Sequence, residues 1–413
     1  MINYIKNIHT NKLFHLENVD IDLTDEQAPH LLLTGKNGSG KTVLLNAIAD
    51  FLEQVKNDTD ISFTQYKNRI ENTERRVKRA ENQQDLFSAQ NNLKYWQERY
   101  DNLFGKITLD FGGSYDFIRK YQEGQFIIAF YQAARKTPIT EPKNPTKPTL
   151  RQKGSIRALL TDQLLNFLSD LKIQEALARN EGQTIDADQI KAWFGNFESL
   201  LKEIYEDTEL RIKFNYKDYT FRIETQGKSF KFTELSDGFI AILDVVADLI
   251  LKMQDGQTLV GSYRKEGIVM IDEVETHLHL ALQKSIMPLL TKLFPNIQFI
   301  VSTHSPFVLS SLPNAVAFDL EHQTPITDLT EYSYQALTEG YFGVETDSNY
   351  AMMRLEELEN LLNKNELSVS EIATVRQLLS DFDSIPEALA PALCGKYGQL
   401  LIKYSERIKL IRG

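Results

Sequence analysis

Leu31-Leu32-Leu33-Thr34-Gly35-Lys36-Asn37-Gly38-Ser39-Gly40-Lys41-Thr42 is the stretch from which the rest of the chain is read. The leucine run has the continuous apolar character of a buried strand, and the eight residues from Gly35 match G-x-x-x-x-G-K-[ST]. Beyond them Val43, Leu44, Ala47, Ile48 and Phe51 fall on one stripe of a helix. A glycine-rich loop between a strand and a helix lets successive backbone N–H groups of Gly35, Lys36, Asn37, Gly38, Ser39 and Gly40 close around phosphate, and the helix N-terminus adds positive dipole. In that frame Lys41 reaches the β- and γ-phosphates of a nucleotide, and Thr42 supplies a hydroxyl to Mg²⁺.

A loop of this kind needs acids nearby, and Ile268-Val269-Met270-Ile271-Asp272-Glu273 supplies them at the end of a second apolar strand. In a parallel sheet such a strand delivers its C-terminal residues to the edge that carries the phosphate loop. Asp272 is then the Mg²⁺ carboxylate and Glu273 the general base for the attacking water. Phe299-Ile300-Val301-Ser302-Thr303-His304 repeats the design and carries His304 to the same edge.

Between these strands the chain changes character several times. From Phe63 to Phe104 there is neither Pro nor Gly, and two apolar seams with 3-4 spacing run from Phe63 to Ala80 and from Leu86 to Leu103. The phase breaks at Glu81 to Asp85, which predicts two antiparallel helices, each ~30 Å long at 1.5 Å per residue, with one kinked helix as the alternative. Residues 106–132 read as strands, 137–149 with their four prolines as a linker, and 155–205 as two amphipathic helices. Leu210, Ile212, Phe214, then Phe221 and Ile223, then Phe230 and Phe232 alternate as an antiparallel meander that leads into Leu235-Ser236-Asp237-Gly238. Residues 331–413 read as a helical tail, where Ser368-Val369-Ser370-Glu371 is a capping box and Tyr334, Leu337, Tyr341, Phe342 and Val344 need an apolar neighbour.

Bulk composition narrows the classes. At 413 residues with 42% hydrophobic and 25% charged content, the chain suits a globular nucleotide domain with helical additions. The most apolar window, Phe239 to Met253, contains Asp244 and Asp248, and no stretch approaches the ~20 apolar residues of a membrane span. The first residues lack the basic start and apolar run of a secretory signal, and with a lone Cys394 the expectation is a cytoplasmic protein without a disulfide or a membrane partner. A net charge of −11 argues against coating nucleic acid with the whole surface. Local clusters at Lys67, Arg69, Arg75, Arg76, Lys78, Arg79 and at Arg135, Lys136, Lys143, Lys147, Arg151, Lys153 read first as solvated faces. Tyr95, Trp96 and Tyr100 read first as hairpin packing, with base stacking as the alternative.

Taken together, Gly35 to Thr42, Leu235-Ser236-Asp237-Gly238, Asp272-Glu273 and His304 resemble the ABC/SMC-like ATPases. Glu275-Thr276-His277-Leu278-His279 and Ser302-Thr303-His304-Ser305-Pro306 resemble strings of the soluble prokaryotic branch, which holds OLD-type and antiphage-defence ATPases. The resemblance covers residues 1–55 and 205–312. It implies an α/β fold: an ABC-ATPase-like mixed sheet with an antiparallel β subdomain, helical lobe, short coiled-coil insertion and helical C-terminal tail. The expected division is an ATPase domain over 1–330, with insertion 63–104, linker 137–149 and lobe 155–205, followed by a tail over 331–413. It also implies ATP and Mg²⁺ as ligands, with His304 as the switch histidine at the γ-phosphate. Ser236 and Gly238 would form a signature that closes the partner's ATP across a head-to-tail dimer or higher even-numbered homo-oligomer. Gln132 is the candidate glutamine that senses Mg²⁺, and His277 and His279 read as a helix start near the dimer seam in preference to a zinc pair. A helical tail on this branch resembles the ATPase subunits of Septu and retron systems, so a separate effector, a nuclease, is the expected partner. The alternatives are a DNA-repair or DNA-tethering ATPase that contacts duplex through the hairpin and, ranked lower, a transporter subunit.

Overall fold

The computed structural model describes residues 4–23, 30–56, 63–112, 115–133, 139–142, 145, 154–254, 263–326, 349–386 and 391–412. The chain separates into two compact units, Met1–Tyr332 and Ser333–Gly413.

The first unit opens with β1 (Asn7–Leu13), β2 (Leu16–Asp22) and β3 (His30–Thr34), followed by α1 (Lys41–Lys56), the helix that leaves the glycine loop. The insertion is α2 (Phe63–Lys78) and α3 (Gln83–Phe104). Asn82 caps α3 by accepting the Asp85 N–H at 2.8 Å, which stops the chain from continuing as one kinked helix. Tyr66, near the start of α2, lies 6.0 Å from Trp96 and 6.4 Å from Phe104, near the end of α3, while Arg76 pairs with Asp85 at the tip. Those contacts define an antiparallel hairpin. Phe104 in turn packs on Phe51 of α1, so the hairpin is rooted in the nucleotide domain.

Next come β4 (Ile107–Asp110), α4 (Asp116–Gln122) and β5 (Phe126–Tyr131). Helix α4 was not legible within a segment that reads as strands. It is only two turns long and is held by exposed pairs of Arg119 with Asp116 and Glu123 around one buried anchor, Phe117. The helical lobe is α5 (Leu164–Asn180) and α6 (Thr184–Tyr205), as the amphipathic pattern predicts, closed by Phe167, Trp193 and Phe197. The alternating segments form the meander β6 (Arg211–Asn215), β7 (Thr220–Thr225) and β8 (Lys228–Lys231), and α7 (Asp237–Met253) follows. The unit ends with β9 (Glu266–Ile271), α8 (Leu280–Leu293), β10 (Ile297–Ser302), α9 (Pro306–Leu309), β11 (Ala315–Asp319) and β12 (Thr324–Ile326).

The main sheet has the order β12-β11-β3-β10-β9-β5, parallel throughout except for the β11–β12 pair. A second, antiparallel sheet, β2-β1-β4, lies across α1. Leu44, Leu45, Ile48, Leu52 and Val55 of α1 join Ile8, Leu16, Ile21 and Leu109 of that sheet and Leu31, Leu33, Met270 and Ile300 of the main sheet in one buried cluster. Helix α1 is thereby apolar on two sides, and the phosphate loop at its head is fixed against both sheets.

The second unit contains α10 (Asn349–Asn363), α11 (Val369–Asp383), α12 (Pro391–Lys403) and α13 (Ser405–Arg412), packed around Leu358, Leu362, Val375, Leu379, Phe382 and Tyr397. The Ser368–Glu371 capping box forms as read. Tyr334, Leu337, Tyr341, Phe342 and Val344, most of the 137–149 linker and all of the second basic cluster lie outside the described residues.

Candidate nucleotide site

Because β11, β3, β10, β9 and β5 run parallel, their C-terminal ends share one edge, and every strand-borne candidate lies there. At the end of β3 the loop turns on glycines with left-handed φ, +128° at Gly35 and +96° at Gly40. A Cβ on Gly35 would stand 2.8 Å from Ser39 Oγ, and one on Gly40 would stand 2.9 Å from Leu16 Cδ1, so both backbone shape and space demand glycine. His15, in the β1–β2 turn, contacts the Ser39 carbonyl through Nε2 at 3.1 Å. On the other side Leu320 N donates to Thr34 O at 3.0 Å, and Lys36 pairs with Glu321 at 2.9 Å.

Lys41 begins α1 and is buried; its Nζ donates to the Gly35 carbonyl at 2.7 Å and the Lys36 carbonyl at 3.1 Å. Burial lowers its pKa, while Glu273, Glu275, Asp272 and Asp319 oppose that shift. Thr42 donates to Asp272 Oδ1 at 3.2 Å, joining the helix start to the end of β9, two strands away from β3. Ser302, the last residue of the intervening β10, donates to the same oxygen at 2.6 Å and accepts the Glu273 N–H at 2.8 Å. Glu273 adopts φ +47°, and its Oε2 accepts from Thr276 Oγ1 at 3.1 Å. This left-handed turn reverses the chain directly after the strand.

His304 follows β10 and is half-buried, and its backbone N–H donates to Glu275 Oε1 at 2.6 Å. Burial and then Lys41 lower its pKa, against the raising influence of Glu275, Glu273 and Asp272. Gln132 is exposed one residue beyond β5, next to Tyr131, whose carbonyl accepts the Asp272 N–H at 2.8 Å. The structure thus brings Lys41, Thr42, Asp272, Glu273 and His304 into one charge cluster and sets Gln132 beside Asp272 by backbone pairing.

Ser236 and Gly238 stand at the start of α7. Ser236 is exposed at the N-cap of α7, and its side chain makes no capping bond. Gly238 packs so closely on the His277 carbonyl that a Cβ would stand 2.8 Å from it. Phe239 is stacked on Tyr205 at 3.9 Å and meets the His279 ring at 6.3 Å. The N-terminus of α7 is therefore wedged between the end of α6 and the segment that follows Glu273. Farther along α7, the fully buried Asp248 accepts from Tyr131 Oη at 2.6 Å, Leu160 N at 2.6 Å and Lys252 Nζ at 2.5 Å, joining β5, the entry to the helical lobe and α7.

Sequence reasoning assigns no role to Ser302, His15 or Asp248. Ser302 alone carries a local signal, as the polar end of an apolar strand; the others depend on pairings between distant segments. On the hairpin, Arg69 covers the Trp96 ring at 4.5 Å, Arg76 pairs with Asp85, and Trp96 and Tyr100 pack against the core, which favours packing for those aromatics. His277 takes φ +69° and His279 is the N-cap of α8.

A phosphate loop on β3, an acidic pair ending β9, a histidine after β10 and an exposed Leu-Ser-x-Gly helix start define a P-loop ATPase of the ABC/SMC-like class. The sequence model of the family described as "AAA domain, putative AbiEii toxin, Type IV TA system" matches residues 31–310, and the chain belongs to that family. Over 404 residues it is 24% identical to a Septu protein PtuA of Bacillus mycoides (strain KBAB4), covering 94% of this chain and 52% of that one. A retron Vc95 probable ATPase of Vibrio cholerae serotype O1 biovar El Tor is 32% identical over 134 residues, covering 32% of this chain and 25% of that one. The chain spans about half, or less, of the length of these relatives. Among solved structures, an SMC head bound to the C-winged helix domain of ScpA aligns at 13% identity and a TM-score of 0.36, covering 76% of this chain and 94% of that one. Among the described residues no helix is long and apolar enough to cross a membrane.

Proposed function

We propose that the chain binds ATP at the edge where β3, β9 and β10 end, hydrolyses it as a head-to-tail dimer, and uses the cycle to regulate a separate effector, a nuclease, in antiphage defence. The observation that carries the reading is the shared Asp272 carboxylate, on which Thr42 and Ser302 converge while Glu273 and His304 flank it. Thr42 and Asp272 offer the hard oxygen donors suited to Mg²⁺, with Gln132 close by as the third candidate. The ion would neutralise charge on the β- and γ-phosphates.

The residues of the chain then divide the work. Lys41 Nζ donates to phosphate oxygens in place of the loop carbonyls, Glu273 takes the proton of the attacking water, and His304 fixes the γ-phosphate end of that arrangement. Ser236, exposed and uncommitted to its own helix, suits the closing of a second chain's ATP together with Gly238 and the N–H groups of α7. Similarity to a Septu protein over 94% of the chain, and to a retron ATPase over 32% of it, supports the defence role, and the helical unit after Tyr332 is the proposed docking element for the effector. The test is a pair of variants: Lys41→Ala should lose ATP binding, and Glu273→Gln should bind ATP, stop turning over and accumulate as a dimer. Wild-type turnover by Glu273→Gln would remove Glu273 from its role.

A further inference from the structure

We infer that Glu275 is a positioning residue for hydrolysis, holding His304 in place through a carboxylate-to-backbone bond between the ends of β9 and β10. The inference rests on the proposed role of His304 at the γ-phosphate.

The tip of β10 is held by separate ties to its neighbours. Thr303 N donates to Leu33 O at 2.9 Å, which ties the tip to β3. Ser305 Oγ donates to Gln283 Oε1 at 2.7 Å, which ties it to α8. Between these anchors His304 has its own tie, the 2.6 Å bond from its N–H to Glu275 Oε1. At 2.6 Å the bond is short for an N–H donor and an oxygen acceptor, and it joins residues 29 positions apart in sequence. The left-handed turns at Glu273 and His277 bend the segment after β9 back over β10, and this bend brings Glu275 within reach.

The second carboxylate oxygen sharpens the point. Oε2 is buried and has no hydrogen-bond partner among the described residues. Among the described residues the carboxylate's hydrogen bond is therefore the one it accepts from the His304 N–H, so the side chain is committed to that tie. Because His277 of the same segment supports Gly238 at the start of α7, the tie also joins the His304 tip to the backbone under the signature helix.

Two substitutions separate reach from charge. Glu275→Gln keeps an oxygen at the right distance and removes the charge. Glu275→Asp keeps the charge and withdraws the carboxylate by about 1.5 Å. Measured on the full chain with ATP and Mg²⁺, kcat of Glu275→Gln should stay within about threefold of wild type. That of Glu275→Asp should fall roughly tenfold to a hundredfold, with KM and ATP-analogue binding changed by no more than about threefold, as expected for a misplaced group in the reacting constellation. Amide exchange of the 300–306 peptide should accelerate in Glu275→Asp and stay protected in Glu275→Gln. Fast turnover by Glu275→Asp beside slow turnover by Glu275→Gln would assign Glu275 to charge and overturn the inference, as would equal loss of ATP binding in both. His304→Ala is the companion measurement. If it is slow while Glu275→Asp is unimpaired, only the positioning role fails; if it turns over like wild type, the reading of His304 fails and this inference with it.

Discussion

Asp248 offers the most direct test of how the first unit is joined. It is fully buried, and its carboxylate takes hydrogen bonds from Tyr131 Oη, Leu160 N and Lys252 Nζ. Tyr131→Phe removes one of these donors and leaves the carboxylate with two, so the loss should be about 1.5–3 kcal/mol, the range for a hydrogen bond to a charged group. Asp248→Ala removes the acceptor from all three and deletes the buried carboxylate that faces the Lys252 ammonium. Breaking a buried pair from one side costs about 3–5 kcal/mol. The double variant should then be no less stable than Asp248→Ala by more than about 0.5 kcal/mol, because the Tyr131–Asp248 bond is already lost. The assay is urea unfolding followed by the fluorescence of Trp193, which lies in the core of the helical lobe, with the midpoint and slope fitted separately. Additive losses, or an Asp248→Ala loss below about 1 kcal/mol, would refute the reasoning that a single carboxylate holds these three segments.

Ser302→Ala should fold and bind ATP but hydrolyse it more slowly, by roughly tenfold to a hundredfold in kcat, because Asp272 and the Glu273 N–H lose their shared hydroxyl; unchanged single-turnover rates would contradict this. His30 has its pKa lowered from 6.5 to about 4 by burial, and its Nδ1 accepts the Phe299 N–H at 3.2 Å. The unfolded chain therefore binds the extra proton between those values, so His30 should withdraw about 3 kcal/mol of stability as pH falls from 6.5 to 4 and nothing above that window. His30→Gln should show a correspondingly flatter acid limb when stability is measured against pH, and an unchanged limb would rule out His30 as its source. Removal of the residues after Tyr332 should leave ATP binding intact and abolish recovery of a co-purifying effector; a truncation that keeps the effector would exclude the helical unit as the docking element.

The fold is legible in the sequence where the signal is local. The strand–glycine–helix context of Gly35 to Thr42, the phase break at Glu81 to Asp85, the alternation from Leu210 to Phe232 and the Ser368 capping box each lie within a few turns of chain, and each corresponds to an observed element. The strand order of the main sheet is a different matter. It places β10 between β3 and β9 and makes Ser302 the bridge to Asp272, yet no periodicity in the separate strands encodes which strand lies next to which. Tyr131 and Asp248 are 117 residues apart, and Asp248 reads only as an acid interrupting an apolar helix until the helix is packed. Glu275 was visible as part of a string but not as a ligand of His304, because its reach depends on left-handed turns at Glu273 and His277 that no residue type there announces.

The central claim is that each ATP is enclosed by the phosphate loop of one chain and Ser236 of the other. The measurement is steady-state hydrolysis by Ser236→Arg chains, by Lys41→Ala chains and by an equal mixture of the two. The account predicts that each variant alone is inactive. In the mixture half of the dimers would be mixed and would carry one intact site of two, restoring about one quarter of wild-type activity if sites act independently. Wild-type hydrolysis by Ser236→Arg alone would contradict the account, because its own pocket would then be complete without the signature of a second chain.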